Sequence, residues 1–169
     1  ELAGQRGYTS FGREHAKGSK VADLKEFFQF GQMVTDEDPI RKEYPDNVWV
    51  SELPGFNEVN INAYRSFEIA GGHLMRAIAV YLDLPENYFE KKIHNGNSIL
   101  RAIHYPPISG DPKSALRAEQ HEDINLITLL VGASAEGLEI FTRKEEWVPV
   151  TAMPGQIVVN VGDMLQRLT

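Results

Sequence analysis

The chain has 169 residues, of which 42% are hydrophobic and 24% are charged, and this composition is typical of a folded globular domain. Its formal net charge of −7 argues against nucleic acids and anionic membranes as partners, because both attract clusters of Lys and Arg. The absence of cysteine excludes disulfides and thiolate sites, so any metal must be bound by His, Asp, Glu or backbone oxygen.

The sequence also lacks the patterns of membrane insertion and secretion. No run approaches the ~18 apolar residues of a membrane span, and no signal peptide opens the chain at Glu1. We therefore expect a cytoplasmic protein, and the sequence offers no basis for predicting its oligomeric state.

The first part of the chain is predicted to be rich in helices. Residues 2–20 are polar and glycine-rich, which indicates irregular or edge structure. Residues 23–32 place Leu24, Phe27 and Phe28 at helical spacing, which predicts a short amphipathic helix. After a stretch punctuated by prolines, apolar residues at steps of three and four predict a long helix over residues 56–82. A second helix is predicted to begin near Pro85 and to end near Gly96.

The pattern changes after Gly96 to short runs that are rich in β-branched and aromatic residues and separated by turn residues. Five strands are predicted, over residues 98–105, 126–131, 138–142, 147–150 and 156–161. This spacing favours an antiparallel sandwich or jelly roll. The predicted fold class is therefore mainly β with flanking helices, in a single domain (residues 1–169) with a helix-rich part (1–97) and a jelly-roll core (98–169).

One short motif, His121-Glu122-Asp123, carries candidate metal chemistry. In an extended chain side chains alternate between faces, so His121 and Asp123 are predicted to share a face and to bind one metal from adjacent positions. With a distant second His they would form the triad of two His and one carboxylate that leaves open positions on Fe(II). The motif alone is weak evidence, because a His two residues from an Asp also occurs on ordinary surface loops.

The surrounding blocks make the motif specific. LRAIHYPP, QHEDINLITLLV, GLEIF, WVPV and PGQIVVNVGDMLQRLT follow one another in residues 100–169. Together they resemble the core of the isopenicillin N synthase-like family, which includes many 2-oxoglutarate-dependent dioxygenases. The resemblance is close from residue 98 onwards and extends more loosely through GQRGYTSFGREHAKG and the long helix.

The resemblance implies a double-stranded β-helix whose iron ligands include His121 and Asp123. It implies Fe(II) as the metal, 2-oxoglutarate as cosubstrate and dioxygen as oxidant, with Tyr105 hydrogen-bonded to 2-oxoglutarate. Two positions depart from the family pattern: Ile103 stands where many relatives have Asn, and Glu122 stands where Thr is usual.

The remaining family features are expected outside these residues. The second His follows the first by on the order of fifty residues, and an Arg-x-Ser pair that holds 2-oxoglutarate follows about ten residues later. Both would lie beyond Thr169, so we expect a chain that is truncated at both ends and lacks the second His ligand.

Further residues are candidates for a substrate pocket or for the missing ligand. Arg101 and Ile103 alternate with Tyr105 on one strand and, with Leu129, are candidate pocket residues, although a structural ion pair is the favoured role of Arg101. The other histidines, which are His15, His73, His94 and His104, are weaker candidates. His104 in particular should face away from Tyr105.

The resulting hypothesis is a dioxygenase that hydroxylates, desaturates or cyclises a small organic substrate. Two alternatives stay open. One is an oxidase of the isopenicillin N synthase kind that uses no 2-oxoglutarate. The other is a metal-free jelly-roll binding or scaffold domain, in which His121 and Asp123 only hydrogen-bond.

Overall fold

A computed structural model of the chain describes residues 5–15, 20–132, 137–151 and 153–168. It divides into two compact units, Glu1–His121 and Glu122–Thr169. Within the described ranges, no helix is both long and apolar enough to cross a membrane. The predicted division between residues 97 and 98 stays a prediction.

The first unit is built on a three-stranded antiparallel sheet with two helices. Its strands are β1 (Gly7–Thr9), β2 (Glu26–Gly31) and β3 (Ile99–His104), and its two α-helices are α1 (Phe56–Tyr81) and α2 (Glu90–Ile93). A short 3₁₀ helix (Pro39–Glu43) precedes α1. Strand β2 lies in the centre of the sheet, between β1 and β3. The second unit contains β4 (Ile127–Val131), β5 (Glu139–Phe141), β6 (Trp147–Pro149), β7 (Ile157–Val161) and α3 (Asp163–Gln166).

The register of the first sheet separates two faces. Phe27 lies opposite Ile103, and Gln29 lies opposite Arg101. Directly opposed residues of antiparallel strands point to the same side, so these four side chains share one face, which we call the Arg101 face. Phe28 lies on the other side of the sheet, which we call the Phe28 face.

The predicted helix over residues 23–32 is wrong, because this segment contains the central strand β2. Apolar side chains occur on both sides of this strand, with Phe27 and Phe30 only 4% and 3% exposed. Burial on both faces removes the alternation of polar and apolar residues that identifies a strand with one solvated face. The neighbouring aromatic residues then matched a helical spacing by coincidence, although their β propensity favoured the strand.

The long predicted helix is confirmed as α1, and its N-terminus packs on the Phe28 face. The ring of Phe56 lies 5.4 Å from that of Phe28 and 6.0 Å from that of Phe30. Further along α1, the buried Tyr64 hydroxyl lies 2.9 Å from Gln32 Oε1. The Phe28 face is therefore covered by α1, and the Arg101 face is left for other contacts.

All five strands predicted after Gly96 are confirmed, and only their ends differ. In the second unit β4 pairs with β7, and β5 pairs with β6, each antiparallel. The short helix α3 was not predicted, and its Leu165 is buried at 2% exposure. The second predicted helix is shorter than expected, because turns occupy residues 86–89 and α2 begins at Glu90.

Gly31 is needed where β2 meets a buried arginine. The Arg6 side chain is fully buried, and its Nη2 donates to Asn97 Oδ1 at 3.0 Å. A Cβ added at Gly31 would lie 1.7 Å from Arg6 Cζ, so the guanidinium occupies the space of a side chain.

We expect Gly31→Ala to lower the free energy of unfolding by about 1–3 kcal/mol, because the new methyl group displaces Arg6 from a packed position. The matched control is Gly72→Ala within α1, where an added Cβ meets no atom within 4 Å. That change should raise stability by about 0.5–1 kcal/mol, because alanine is the better helix former. Urea unfolding of both variants checks the prediction, and equal effects of the two substitutions would contradict it.

Candidate metal centre

His121 is held at the end of the first unit by a hydrogen bond of its imidazole. Its Nδ1 lies 2.8 Å from the backbone oxygen of Glu119. A carbonyl oxygen only accepts hydrogen bonds, so Nδ1 carries the proton and the lone pair of the neutral ring is on Nε2. A histidine that donates from one ring nitrogen to a backbone carbonyl and coordinates through the other is the common arrangement of a metal ligand.

Asp123 belongs to the second unit and is oriented by a separate contact. The hydroxyl of Thr128, on β4, donates to Asp123 Oδ2 at 2.6 Å. The Thr128 oxygen in turn accepts from Asn125 Nδ2 at 2.8 Å. A threonine hydroxyl has one proton to donate and can accept as well, so both contacts are satisfied together.

The backbone around Asp123 is fixed by the N-terminus of α3. The amides of Asp163 and Met164 donate to the carbonyls of Asp123 and Asn125, at 2.9 and 3.1 Å. Gly162 permits this close approach, since a Cβ there would lie 2.2 Å from Asn125 Oδ1 and 2.3 Å from the Asn125 backbone oxygen. The N-terminus of α3, with Gly162 as its N-cap, therefore holds the Asp123 loop in place.

The donor set fits part of an Fe(II) site. An imidazole with a defined tautomer and an oriented carboxylate are ligand types found in a triad of two His and one carboxylate, and the assignment of His121 and Asp123 as iron ligands stays a prediction. Among the described residues, no group of three His, Asp or Glu side chains is placed to hold a metal. The third ligand is therefore not assigned to any residue.

The residues predicted to bind the cosubstrate or to line the pocket lie in β3, directly after β3, and in β4. Ile103 lies on β3, on the Arg101 face, and Tyr105 follows the end of that strand; each is 39% exposed. Leu129 lies in β4 of the second unit, opposite Val159 of β7. The roles of these residues stay predictions.

Arg101 makes polar contacts through all three nitrogens of its guanidinium. Nε and Nη2 donate to Gln29 Oε1 at 3.2 and 3.0 Å, and Nη1 donates to Glu14 Oε1 at 3.0 Å. The guanidinium also lies over the Phe27 ring, 4.2 Å from its centroid, which is a cation–π contact. These contacts support the structural ion pair that the sequence favoured for Arg101.

A buried ion-pair network extends from Arg101 and was not anticipated. Lys25 Nζ lies 2.7 Å from Glu14 Oε2 and 2.8 Å from Asp23 Oδ2, and the side chains of Lys25 and Asp23 are only 7% and 5% exposed. Burial tends to lower the pKa of Lys25, but the two carboxylates outweigh it and raise that pKa above its ordinary value. The network joins three segments that are distant in the sequence, which is why spacing rules did not reveal it.

Three of the other histidines have local environments unlike a metal site. His73 is exposed on α1, and His94 caps the C-terminal end of α2. His104 Nδ1 lies 2.7 Å from Glu26 Oε1, on the face opposite Arg101 and Ile103. The hydrogen bonds of Glu26 with Tyr8 and His104 hold the pKa of this carboxyl below its usual value.

Two family models match the sequence. The model described as the 2OG-Fe(II) oxygenase superfamily matches residues 96–169, which include both candidate ligands. The model described as the N-terminal region of a non-haem dioxygenase in morphine synthesis matches residues 2–52.

Similar proteins carry related names. A protein named proline hydroxylase from Petromyces alliaceus is 37% identical over 97% of this chain and 53% of its own length. A 2-oxoglutarate-dependent dioxygenase from Aspergillus rugulosus is 39% identical over 73% of this chain and 39% of its own length. The chain spans about half the length of most of the relatives it matches.

Solved structures agree with the fold described above. A 2OG-Fe(II) oxygenase family protein from Caulobacter crescentus matches with a TM-score of 0.87 and 44% identity, over 99% of this chain and 54% of that protein. A protein from Neurospora crassa, solved in complex with alpha-KG (2-oxoglutarate), matches with a TM-score of 0.79 and 30% identity, over 96% of this chain and 53% of that protein. The predicted jelly-roll fold, mainly β with few helices, is confirmed by these likenesses.

We expect Thr128→Val to weaken Fe(II) binding about tenfold, because a carboxylate ligand that loses its orienting hydrogen bond commonly costs this much affinity. Thr128→Ser retains the hydroxyl and should bind Fe(II) like the wild type. Anaerobic calorimetric titration of the full-length protein checks both values. Equal affinities of the valine variant and the wild type would show that the contact to Asp123 does not support a metal ligand.

The Lys25 ion pairs should also give stability a defined dependence on pH. Because the pKa of Lys25 is raised in the folded state, its contribution is fully present below the unfolded value of 10.5 and is lost as pH rises through the folded value. The difference in unfolding free energy between the wild type and Lys25→Gln should therefore be constant from about pH 7 to pH 9 and should shrink at about pH 11. A difference that grows with alkaline pH would contradict this assignment.

Proposed function

Because this chain belongs to the 2OG-Fe(II) oxygenase superfamily, we propose that it carries the core of a mononuclear Fe(II) dioxygenase that oxidises a small organic molecule. Members of the family use Fe(II), 2-oxoglutarate and dioxygen. The observation that carries the proposal is the pair His121 and Asp123, which lies within the matched segment, each residue with its own orienting hydrogen bond.

In this proposal the protein orients and shields the reacting groups, while the metal and the cosubstrate supply the oxidising chemistry. His121 would bind Fe(II) through Nε2, because its Nδ1 proton is donated to the Glu119 carbonyl. Asp123 supplies a carboxylate oxygen, with its orientation fixed at Oδ2 by Thr128. Both ligands must be deprotonated to bind, so metal binding releases any proton that the free imidazole or carboxylate holds.

Tyr105 is proposed to donate a hydrogen bond to 2-oxoglutarate. Its position directly after β3 and its 39% exposure leave the side chain accessible to a ligand. Ile103, one strand repeat earlier, and Leu129 are proposed to contribute apolar surface to the substrate pocket. Arg101 is proposed to border the pocket from the same face as Ile103, with Glu14 and Gln29 fixing its position.

Hydroxylation is the outcome that the relatives support best. One relative is named proline hydroxylase, and the similar Neurospora crassa protein has also been solved in complex with alpha-KG and thymine. Desaturation and cyclisation remain within the proposed reaction class. The location in the cytoplasm, and the expectation of no nucleic-acid or membrane partner, stay predictions from the charge balance and the sequence.

The proposal is tested by 2-oxoglutarate turnover in the full-length protein. We expect Fe(II)-dependent release of succinate, and loss of at least about 99% of that activity in His121→Ala and Asp123→Ala, because a triad that lacks a ligand no longer holds the metal in place. Free proline and thymine are the first substrates to add, with mass spectrometry to detect a product that has gained one oxygen atom.

Glu122→Ala is the matched control, because Glu122 is an exposed carboxylate between the two ligands and has no proposed role. It should retain wild-type turnover. Binding of Fe(II) without consumption of 2-oxoglutarate would instead support the oxidase alternative. A protein that binds no Fe(II), with all three variants alike, would support the metal-free binding domain.

A further inference from the structure

The segment before His121 is attached to the N-terminal part of the first unit by two hydrogen bonds. The backbone amide of Leu24 donates to the carbonyl of Leu116 at 2.8 Å. The carboxylate of Asp23 accepts from the backbone amide of Glu119, with 3.1 Å between Oδ1 and N. The residues just before β2 therefore fix the backbone that leads to the candidate ligand.

The Glu119 residue links this attachment to the imidazole of His121. Its amide is bound by Asp23, and its carbonyl accepts the hydrogen bond from His121 Nδ1. A displacement of Glu119 would therefore move the acceptor that sets the tautomer and the orientation of the ring. A metal–nitrogen bond is directional, so a change in ring orientation lowers metal affinity.

Asp23 itself is positioned by buried charges. Its Oδ2 pairs with Lys25 Nζ, and the same amine pairs with Glu14. Asp23 also donates its backbone amide to the Glu14 carbonyl at 2.9 Å. The Asp23 side chain is only 5% exposed, so water can replace few of its hydrogen bonds. Breaking its ion pair with Lys25 would leave a buried charge without a partner.

We propose that Asp23 is a positioning residue for the metal centre, acting through the backbone of Glu119 to hold the imidazole of His121. The inference rests on the proposed function, since it takes His121 to be an iron ligand. Asp23 does not touch the metal in this proposal. The Lys25 amine and the backbone carbonyl of Glu14 keep Asp23 in place.

The test measures Fe(II) affinity of the full-length protein by anaerobic calorimetry, together with the midpoint of thermal unfolding. Asp23→Ala should raise the Fe(II) dissociation constant about tenfold, the lower end of the usual effect of losing such a partner. Asp23→Asn keeps an oxygen acceptor for the Glu119 amide, and its dissociation constant should stay within about threefold of the wild type. Both variants should unfold at a lower temperature, because each loses the charge that faces Lys25.

Glu14→Gln is the matched control. It removes the carboxylate charge that Lys25 and Arg101 share, but leaves the contact between Asp23 and Glu119 intact. We expect it to lower the unfolding midpoint while the Fe(II) dissociation constant stays within about threefold of the wild type. If Asp23→Ala does not fold, the double variant Asp23→Ala/Lys25→Met removes the unpaired amine as well and should show the same tenfold loss.

The outcomes separate failure of the inference from failure of the proposed function. Wild-type Fe(II) affinity in Asp23→Ala overturns the inference. An equal loss of affinity in Asp23→Ala and Glu14→Gln also overturns it, because the effect would then follow general stability. Unchanged Fe(II) affinity in His121→Ala refutes the proposed function itself, whereas a large loss in His121→Ala with none in Asp23→Ala refutes only the positioning role.

Discussion

The Lys25 ammonium, enclosed between the carboxylates of Glu14 and Asp23, joins the parts of the first unit that matter for the candidate site. A buried amine is costly unless it is paired and hydrogen-bonded, so its two partners must be brought to it as the chain folds. Glu14 in turn binds Arg101 on β3, and Asp23 binds the Glu119 amide. Through these two carboxylates, one buried cation helps to fix the position of Arg101, a proposed pocket residue, and of the segment that carries His121.

The two candidate ligands, His121 and Asp123, are held in position by different kinds of contact. His121 depends on a backbone carbonyl whose position is set by long-range contacts within the first unit, whereas Asp123 depends on a nearby threonine and a short helix. Each arrangement follows the rule that the atoms around a ligand, as well as the ligand itself, determine how well a metal is bound. The ligand pair is adjacent in sequence, but its supports come from residues as distant as Asp23 and Asp163.

Local patterns in the sequence predicted much of this structure. Helix α1 and the five later strands were found because their periodicity is regular, and the resemblance of their motifs identified the family. The central strand β2 was mistaken for a helix because it has a buried side chain on each face of the sheet, Phe27 on one and Phe30 on the other. The network of Glu14, Lys25 and Arg101 escaped prediction, because it depends on the pairing of β2 with β3, which brings Arg101 beside Gln29, 72 positions away in the chain.

The second unit differs from the first in its sheets. Its described strands form two-stranded sheets, and several of their apolar side chains are exposed to solvent. Ile140, Phe141, Trp147 and Val161 are each 48–62% exposed. The Asp123 loop is held by Thr128 and by the N-terminus of α3, so a ligand bound at Asp123 would favour the ordered loop by mass action, and its occupancy would be linked to the order of that loop.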